Sequence, residues 1–269
     1  MKNILYLTIL VTVISSCQTV LENVPVPEIP VKGVVFANIN QLSNLPKMSL
    51  TKSKPIINES TNNDYEVIQN AEAKVYVQGK EYEFNHMFND EYGHLGTVDL
   101  QSGDEVKLVV KTDDFGELTS SVIVPDEIPS YTVKLDSVIM EWETEYQLVI
   151  DIPITDDKEH YYRIEAFSDY GSDTVEAWST KEYFTLDKVV DGSIRLSTDF
   201  YTWKSEYNGE NPKLFILLSA ITEKHYQYGK VYETYEPDNP FSEPTPLPSN
   251  VDGGLGIFTV SNSKLIKLN

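Results

Sequence analysis

Residues 71–84, AEAKVYVQGKEYEF, decide the architecture of this chain. Ala71, Ala73, Val75 and Val77 recur with period two, so an extended backbone puts them on one face; Tyr82 and Phe84 resume the pattern after Gly79. A helix would scatter these side chains around its axis. The segment therefore predicts a β-hairpin, with Gly79 supplying the turn.

The same period extends in both directions. Val106, Leu108 and Val110 lead into the turn Asp113-Asp114-Phe115-Gly116, and the return strand SSVIVP ends at Pro125. Upstream, VKGVVFANI (31–39) and LPKMSLTKS (45–53) read as strands separated by the polar turn Asn40–Asn44, and INESTNND (57–64) reads as a loop. Short strands at this spacing predict a β-sandwich of immunoglobulin or transthyretin type over residues 31–128. Asp126–Ser130 (DEIPS) interrupts the alternation with charge and proline, which marks a domain boundary.

A second β domain is expected over 129–269. YTVKLDSVIMEWE (131–143) and YQLVIDIPI (146–154) form a strand pair joined by Thr144-Glu145; HYYRIEAFSDYG (160–171) is a further strand, and Asp191-Gly192 a turn. KLFILLSAI (213–221) is continuously apolar, as in a strand buried on both faces. The period then changes. Tyr228, Tyr232 and Tyr235 follow helical spacing across Thr222–Glu236, with Thr222 as N-cap and Pro237 as the stop. Gly229 inside that run costs about 1 kcal/mol relative to alanine. The fold class is mainly all-β, two sandwich-like domains with one short helix.

The N-terminus carries an address. A basic start, Met1-Lys2-Asn3, precedes an apolar run from Ile4 to Ile14 and then Ser15-Ser16-Cys17, the order of a bacterial lipoprotein signal cut before an acylated cysteine. The apolar run is too short for a transmembrane helix, which needs about 20 residues. Residues 1–16 are thus expected to be removed and Cys17 lipidated; 17–30, with Pro25, Pro27 and Pro30, form an extended tether. The membrane would be reached through that lipid, at the outer membrane, the periplasmic or cell-surface side being left open.

Removing 16 of 269 residues leaves 253, and losing Lys2 takes the net charge from −21 to −22. Only two arginines, Arg163 and Arg195, and no cluster of basic residues occur, which excludes nucleic acid as a partner and contact with anionic headgroups. Cys17 is the only cysteine, so no internal disulfide forms and stability rests on burial.

The segment NPFSEPTPLPSNVDGGLGIF, Asn239–Phe258, following a strand and a Tyr-rich helix, resembles the C-terminal signature of a Bacteroidota lipoprotein family catalogued as domain of unknown function forty-two forty-nine. Ala73, Val75, Val77 and Gly79, the Val124-Pro125 close, Leu135-Asp136-Ser137 and Tyr161-Tyr162-Arg163 agree in layout. The resemblance implies an outer-membrane lipoprotein often encoded beside TonB-dependent receptors, with no established activity and no catalytic residues to carry over. Independently, Pro240, Pro244, Pro246 and Pro248 predict an extended strap over a sheet edge, the alternative being a docking strip for a partner.

Residues capable of chemistry are sparse. His86 and His94 flank Asp90 and Glu91, but the spacing fits no zinc motif. Asp113-Asp114 and Asp156-Asp157 read as turn formers rather than calcium ligands or a glycosidase pair. No G-x-S-x-G elbow, H-E-x-x-H helix or P-loop occurs. The expectation is a non-enzymatic protein without metal or cofactor. Among the aromatics, Trp142, Trp178, Trp203 and the Tyr161-Tyr162 pair could stack on sugars or peptide; Tyr201 and Trp203, sharing strand parity, are the chosen ligand-binding candidates. Accessory to a TonB-dependent receptor, stand-alone glycan or peptide binder, and hydrolase are the readings weighed, in that order.

Overall fold

The computed structural model describes residues 30–54, 65–141, 143–169, 181–185, 189–203, 213–234 and 246–268. Cys17, most of the tether, the 57–64 loop, Trp142 and Trp178 lie outside them. Val31–Asn269 forms one compact unit.

Seven strands build its first half: β1 (Gly33–Asn40), β2 (Lys47–Lys52), β3 (Ala71–Val77), β4 (Lys80–Phe88), β5 (Glu91–Gly93), β6 (Glu105–Thr112) and β7 (Gly116–Ile123). The hairpin that opened the sequence reading is β3–β4, with Val75 opposite Tyr82 and Ala73 opposite Phe84, all five of Ala73, Val75, Val77, Tyr82 and Phe84 being buried. Gln78 and Gly79 take positive φ at its turn, +50° and +80°, as a type I′ connection requires.

The second half contains β8 (Thr132–Ile139), β9 (Glu143–Pro153), β10 (Tyr161–Asp169), β11 (Lys181–Phe184), β12 (Val189–Val190), β13 (Ser193–Trp203), β14 (Lys213–Ile221), helix α1 (Glu223–Glu233) and β15 (Leu255–Lys267). The β8–β9 turn comes earlier than expected: the Met140 N–H donates to the Glu143 carbonyl at 2.9 Å, and Thr144 and Glu145 lie inside β9. The polar pair reads as a turn in sequence, but Thr144 is a β-branched strand former buried on the inner face. KLFILLSAI is buried on both faces only at Ser219–Ile221; Phe215 and Leu217 are half-buried. Helix α1 begins where the cap predicts, Thr222 Oγ1 accepting from the His225 N–H at 3.2 Å, and ends before Thr234. Its interior glycine has a reason: a Cβ on Gly229 would overlap the ring of Tyr183.

Two cores result. One gathers β1 to β7 around residues such as Leu50, Phe84 and Leu108; the other is a sandwich in which Leu148, Ile150 and Leu196 of the sheet β12-β13-β9-β8 face Ile164, Ile216 and Leu218. The two meet near the expected boundary, since Val124 belongs to the first core and Ile128 to the second. The last strand, however, serves both. β15 runs parallel to β1 over 255–261 and antiparallel to β14 over 261–267. Val251, Phe258 and Val260, placed by sequence in the second domain, lie in the first core.

Side-chain amides patch the two places where β15 lacks a neighbouring strand. Before β14 arrives, Asn250 Nδ2 donates to the Phe258 carbonyl at 2.7 Å and its Oδ1 accepts from the Phe258 N–H at 2.8 Å. After β1 ends, Gln41 does the same for Ser263, at 2.8 and 3.1 Å. Each carboxamide imitates a peptide group, so four backbone polar atoms avoid burial without partners. β15 also fastens the interdomain segment, Lys264 Nζ donating to the Ile128 carbonyl at 2.6 Å.

Candidate functional site

The outer face of the four-stranded sheet holds Tyr201, one of the two aromatic residues that the sequence points to. Tyr201 lies opposite Glu145 on β9, and Glu145 opposite Val138 on β8, so these three form one row across the sheet. Tyr201 is 43% exposed and its hydroxyl donates to Glu145 Oε1 at 3.1 Å. That bond, reinforced by the negative field of Glu145, Asp199 and Glu143, holds the phenol pKa above its ordinary value. The neighbouring row is Asp199, Gln147 and Asp136, and at the far end Arg195 and Asp151 form a two-pronged ion pair at 2.7 and 3.1 Å. Trp203 stands opposite Glu143 in the ladder; its side chain lies outside the described residues.

At the junction of the two cores, a cleft of about 380 Å³ opens between Val124–Glu127, Lys158–Tyr162 and Ala220–Glu223. Its charged groups are tied to one another. Lys158 pairs with Asp126 at 3.0 Å, His160 Nε2 contacts Asp156 at 2.6 Å, and the Tyr161 hydroxyl donates to Glu159 at 2.6 Å. Burial pushes the Tyr162 phenol up to about 12.

Beneath α1 lies a cluster that the sequence did not reveal. His225 and Arg163 are buried, Arg163 Nη2 donates to Glu165 at 2.8 Å, and the His225 ring stands edge-on to Tyr183, centroids 5.9 Å apart. Desolvation, with the Arg163 charge second, pushes the imidazole down to about 3 and keeps it neutral. Among the described residues, His225 Nδ1 and Arg163 Nε have no hydrogen-bond partner, a cost of about 1–3 kcal/mol for each buried polar group left unpaired. Helical spacing in the sequence pointed to the tyrosines and gave no sign that His225 faces inward.

Each group of the described residues whose ionisation is clearly displaced moves away from neutrality: lysines and tyrosines rise, Asp99, Asp151 and Asp156 fall, and His225 falls. Tuning a carboxylate, lysine or tyrosine for general acid or base work near pH 7 takes the opposite displacement. The histidine pair considered for a metal is engaged elsewhere: His86 Nε2 meets the Asn89 carbonyl at 2.8 Å and His94 Nδ1 the Glu83 carbonyl at 2.9 Å, while Asp90 accepts from Ser49. No group of three or more His, Cys, Asp or Glu side chains converges among the described residues. Asp114 pairs with Lys52 at 3.2 Å and Asp156 with His160, so the two acid pairs serve separate turns.

The tail motif is structural where it is described. Asp252 bridges Thr119 on β7 in both directions, at 3.0 and 2.7 Å; Pro240 and Pro244 of the expected strap lie outside the described residues. A Cβ on Gly254 would stand 2.5 Å from the Gly33 carbonyl, and Gly256, at φ +111°, lies so close to the Val35 carbonyl that no side chain fits.

The class defined by these features is a mainly β protein in which a C-terminal glycine-rich clasp joins two cores through one shared strand. The chain belongs to the family described as Domain of unknown function (DUF4249), whose model matches residues 23–266. No curated protein matches it. Among solved structures it is similar to a DUF3823 family protein from Parabacteroides merdae, at 14% identity over 72% of this chain and 92% of that one, with a TM-score of 0.18. It is also similar to dimeric latent PorU from Porphyromonas gingivalis, at 9% identity over 89% of this chain and 20% of that one, with a TM-score of 0.19.

Proposed function

We propose that this protein is a non-enzymatic binding lipoprotein of a Bacteroidota cell envelope, anchored at the outer membrane through acylated Cys17 and accessory to a TonB-dependent receptor. The observation that carries the reading is the order of the leader: basic start, short apolar run, then Ser15-Ser16-Cys17 and a proline-rich tether. Two or three acyl chains hold a protein on a bilayer far more firmly than one, at about 0.8 kcal/mol per buried CH₂. The non-enzymatic part is supported by titratable groups displaced away from neutrality, and the receptor by the resemblance that Asn239–Phe258 carries.

Mass spectrometry of the mature N-terminus tests the anchor: a diacylated or triacylated Cys17 is expected, and an intact leader removes the reading. Purification from detergent-solubilised membrane tests the partner, with a receptor barrel expected to accompany the chain and a preparation of this chain alone counting against it. A second reading, a stand-alone glycan or peptide binder, is favoured by the half-exposed Tyr201 beside Glu145 and Val138. It predicts a tryptophan fluorescence change on a ligand panel that weakens in Tyr201→Ala and Trp203→Ala, and silence across the panel would end it.

A further inference from the structure

The outer edge of β8 is open. This strand ends its sheet, and among the described residues only β9 pairs with it. Because the Met140 N–H bonds the Glu143 carbonyl, the narrow hydrogen-bonded pairs of this antiparallel ladder fall at Val138, Asp136, Lys134 and Thr132. Val133, Leu135, Ser137 and Ile139 therefore aim both backbone groups at the free edge. Among the described residues no proline, bulge or crossing segment blunts it, devices that proteins use to protect such edges.

The two faces flanking this edge differ chemically. On the inner side, Val133 and Leu135 pack against the second core, while Ile139 remains 71% exposed at the rim. On the outer side, Val138 is 60% exposed, and Asp136, Glu143 and Glu145 outnumber Lys134, the one base on β8, while Arg195 is taken up by Asp151. A strand added here would place alternate side chains on these two faces. Apolar ones would cover Ile139 and extend the core; basic ones would meet the carboxylates.

We infer that the β8 edge is a docking site for an extended partner segment alternating apolar and basic residues, bound by β-augmentation. This deepens, and rests on, the reading of the chain as a binding component. A second copy is a poor occupant, since pairing would bring together two molecules each of net charge −21. Charge complementarity favours a basic guest.

The full chain in detergent is titrated with a blocked six-residue peptide of alternating valine and lysine, long enough to span roughly 20 Å of strand. A valine–glutamate peptide of equal length and a valine–lysine peptide N-methylated at alternate residues are the controls. Both controls are expected to bind at least about tenfold more weakly, a difference of roughly 1.4 kcal/mol. Ser137→Pro deletes an edge N–H without touching a bond to β9 and should cost a similar factor at unchanged melting temperature; Asp136→Lys should weaken the valine–lysine peptide severalfold. Equal binding of the N-methylated or the glutamate peptide overturns the proposal, and needs no variant. A dimer in sedimentation equilibrium that Ser137→Pro dissolves overturns it in favour of self-pairing. These results are independent of acylation at Cys17 and of receptor co-purification, so failure of the docking site and failure of the lipoprotein reading are distinguishable.

Discussion

The outer edges of β7 and β8 end their sheets in opposite ways. At β7, Thr119 exchanges two backbone hydrogen bonds with Asp252, and the glycines that follow press against Glu117 and Gly33. Nothing comparable covers β8 among the described residues, although that strand carries two of the most exposed aliphatic side chains, Val138 and Ile139. An unpaired edge invites association, and proteins usually suppress it. The contrast teaches that this molecule spends its most constrained sequence on closing one edge and leaves another available. The closed edge belongs to stability, and the open one is where we place recognition.

Four measurements break or sharpen that contrast. Gly256→Ala should be the most damaging, because it adds both a forbidden contact with the Val35 carbonyl and strain at positive φ. A loss of about 3–5 kcal/mol in denaturant unfolding is expected; a loss below 1 kcal/mol would show that the clasp is not what joins β15 to β1. Asn250→Ala removes both bonds to Phe258 and leaves its backbone groups unpaired, for an expected loss of about 2 kcal/mol. Asn250→Asp, which keeps only the acceptor, should fall between that variant and the parent.

Acid should weaken the second half through His225. Its imidazole titrates near 6.5 when unfolded and near 3 when folded, so between those values the unfolded chain binds the extra proton. Stability is unaffected above pH 6.5 and falls as the pH drops toward 3, with a slope approaching ~1.4 kcal/mol per pH unit for one proton. Hydrogen exchange in α1 should accelerate over that window, and His225→Gln should flatten the slope; an unchanged slope would contradict burial of the neutral ring. Asp151, held low by Arg195, adds stability that is fully present above the ordinary carboxylate range and is lost as the pH falls through its lowered folded value. The smallest expected effect is Ser137→Pro at the β8 edge, within about 0.5 kcal/mol of the parent, since its N–H faces away from β9. A larger loss would mean that the β8 edge is already paired.

Legibility followed locality. The β3–β4 hairpin, the Asp191-Gly192 turn and the Thr222 cap were readable because each depends on residues a few positions apart, through side-chain alternation, positive φ or a single capping bond. The β8–β9 turn was misplaced because Thr144 and Glu145 are polar in composition, whereas one is buried and the other faces solvent across a ladder. Gly229 looked like a defect until the ring of Tyr183 arrived from another strand. His225 carries no sequence signal of burial for the same reason. Of the candidate face, Tyr201 and Trp203 were visible as an aromatic pair in sequence, but the row-mates of Tyr201, Glu145 and Val138, come from two other strands and are assembled only by register.

The amino-acid sequence determined, by itself, a mainly β chain with one helix, an acidic surface, the turns and the glycine-rich tail, because alternation, charge and backbone freedom are properties of neighbours along the chain. The tertiary structure alone decided that residues 255–267 thread through both cores, with Asn250 and Gln41 completing the strand, and that Asp252 covers β7 while nothing among the described residues covers β8. The pairings of β15 with β1 and of Ser263 with Gln41 join positions more than two hundred residues apart, and only their mutual burial and hydrogen bonding select them.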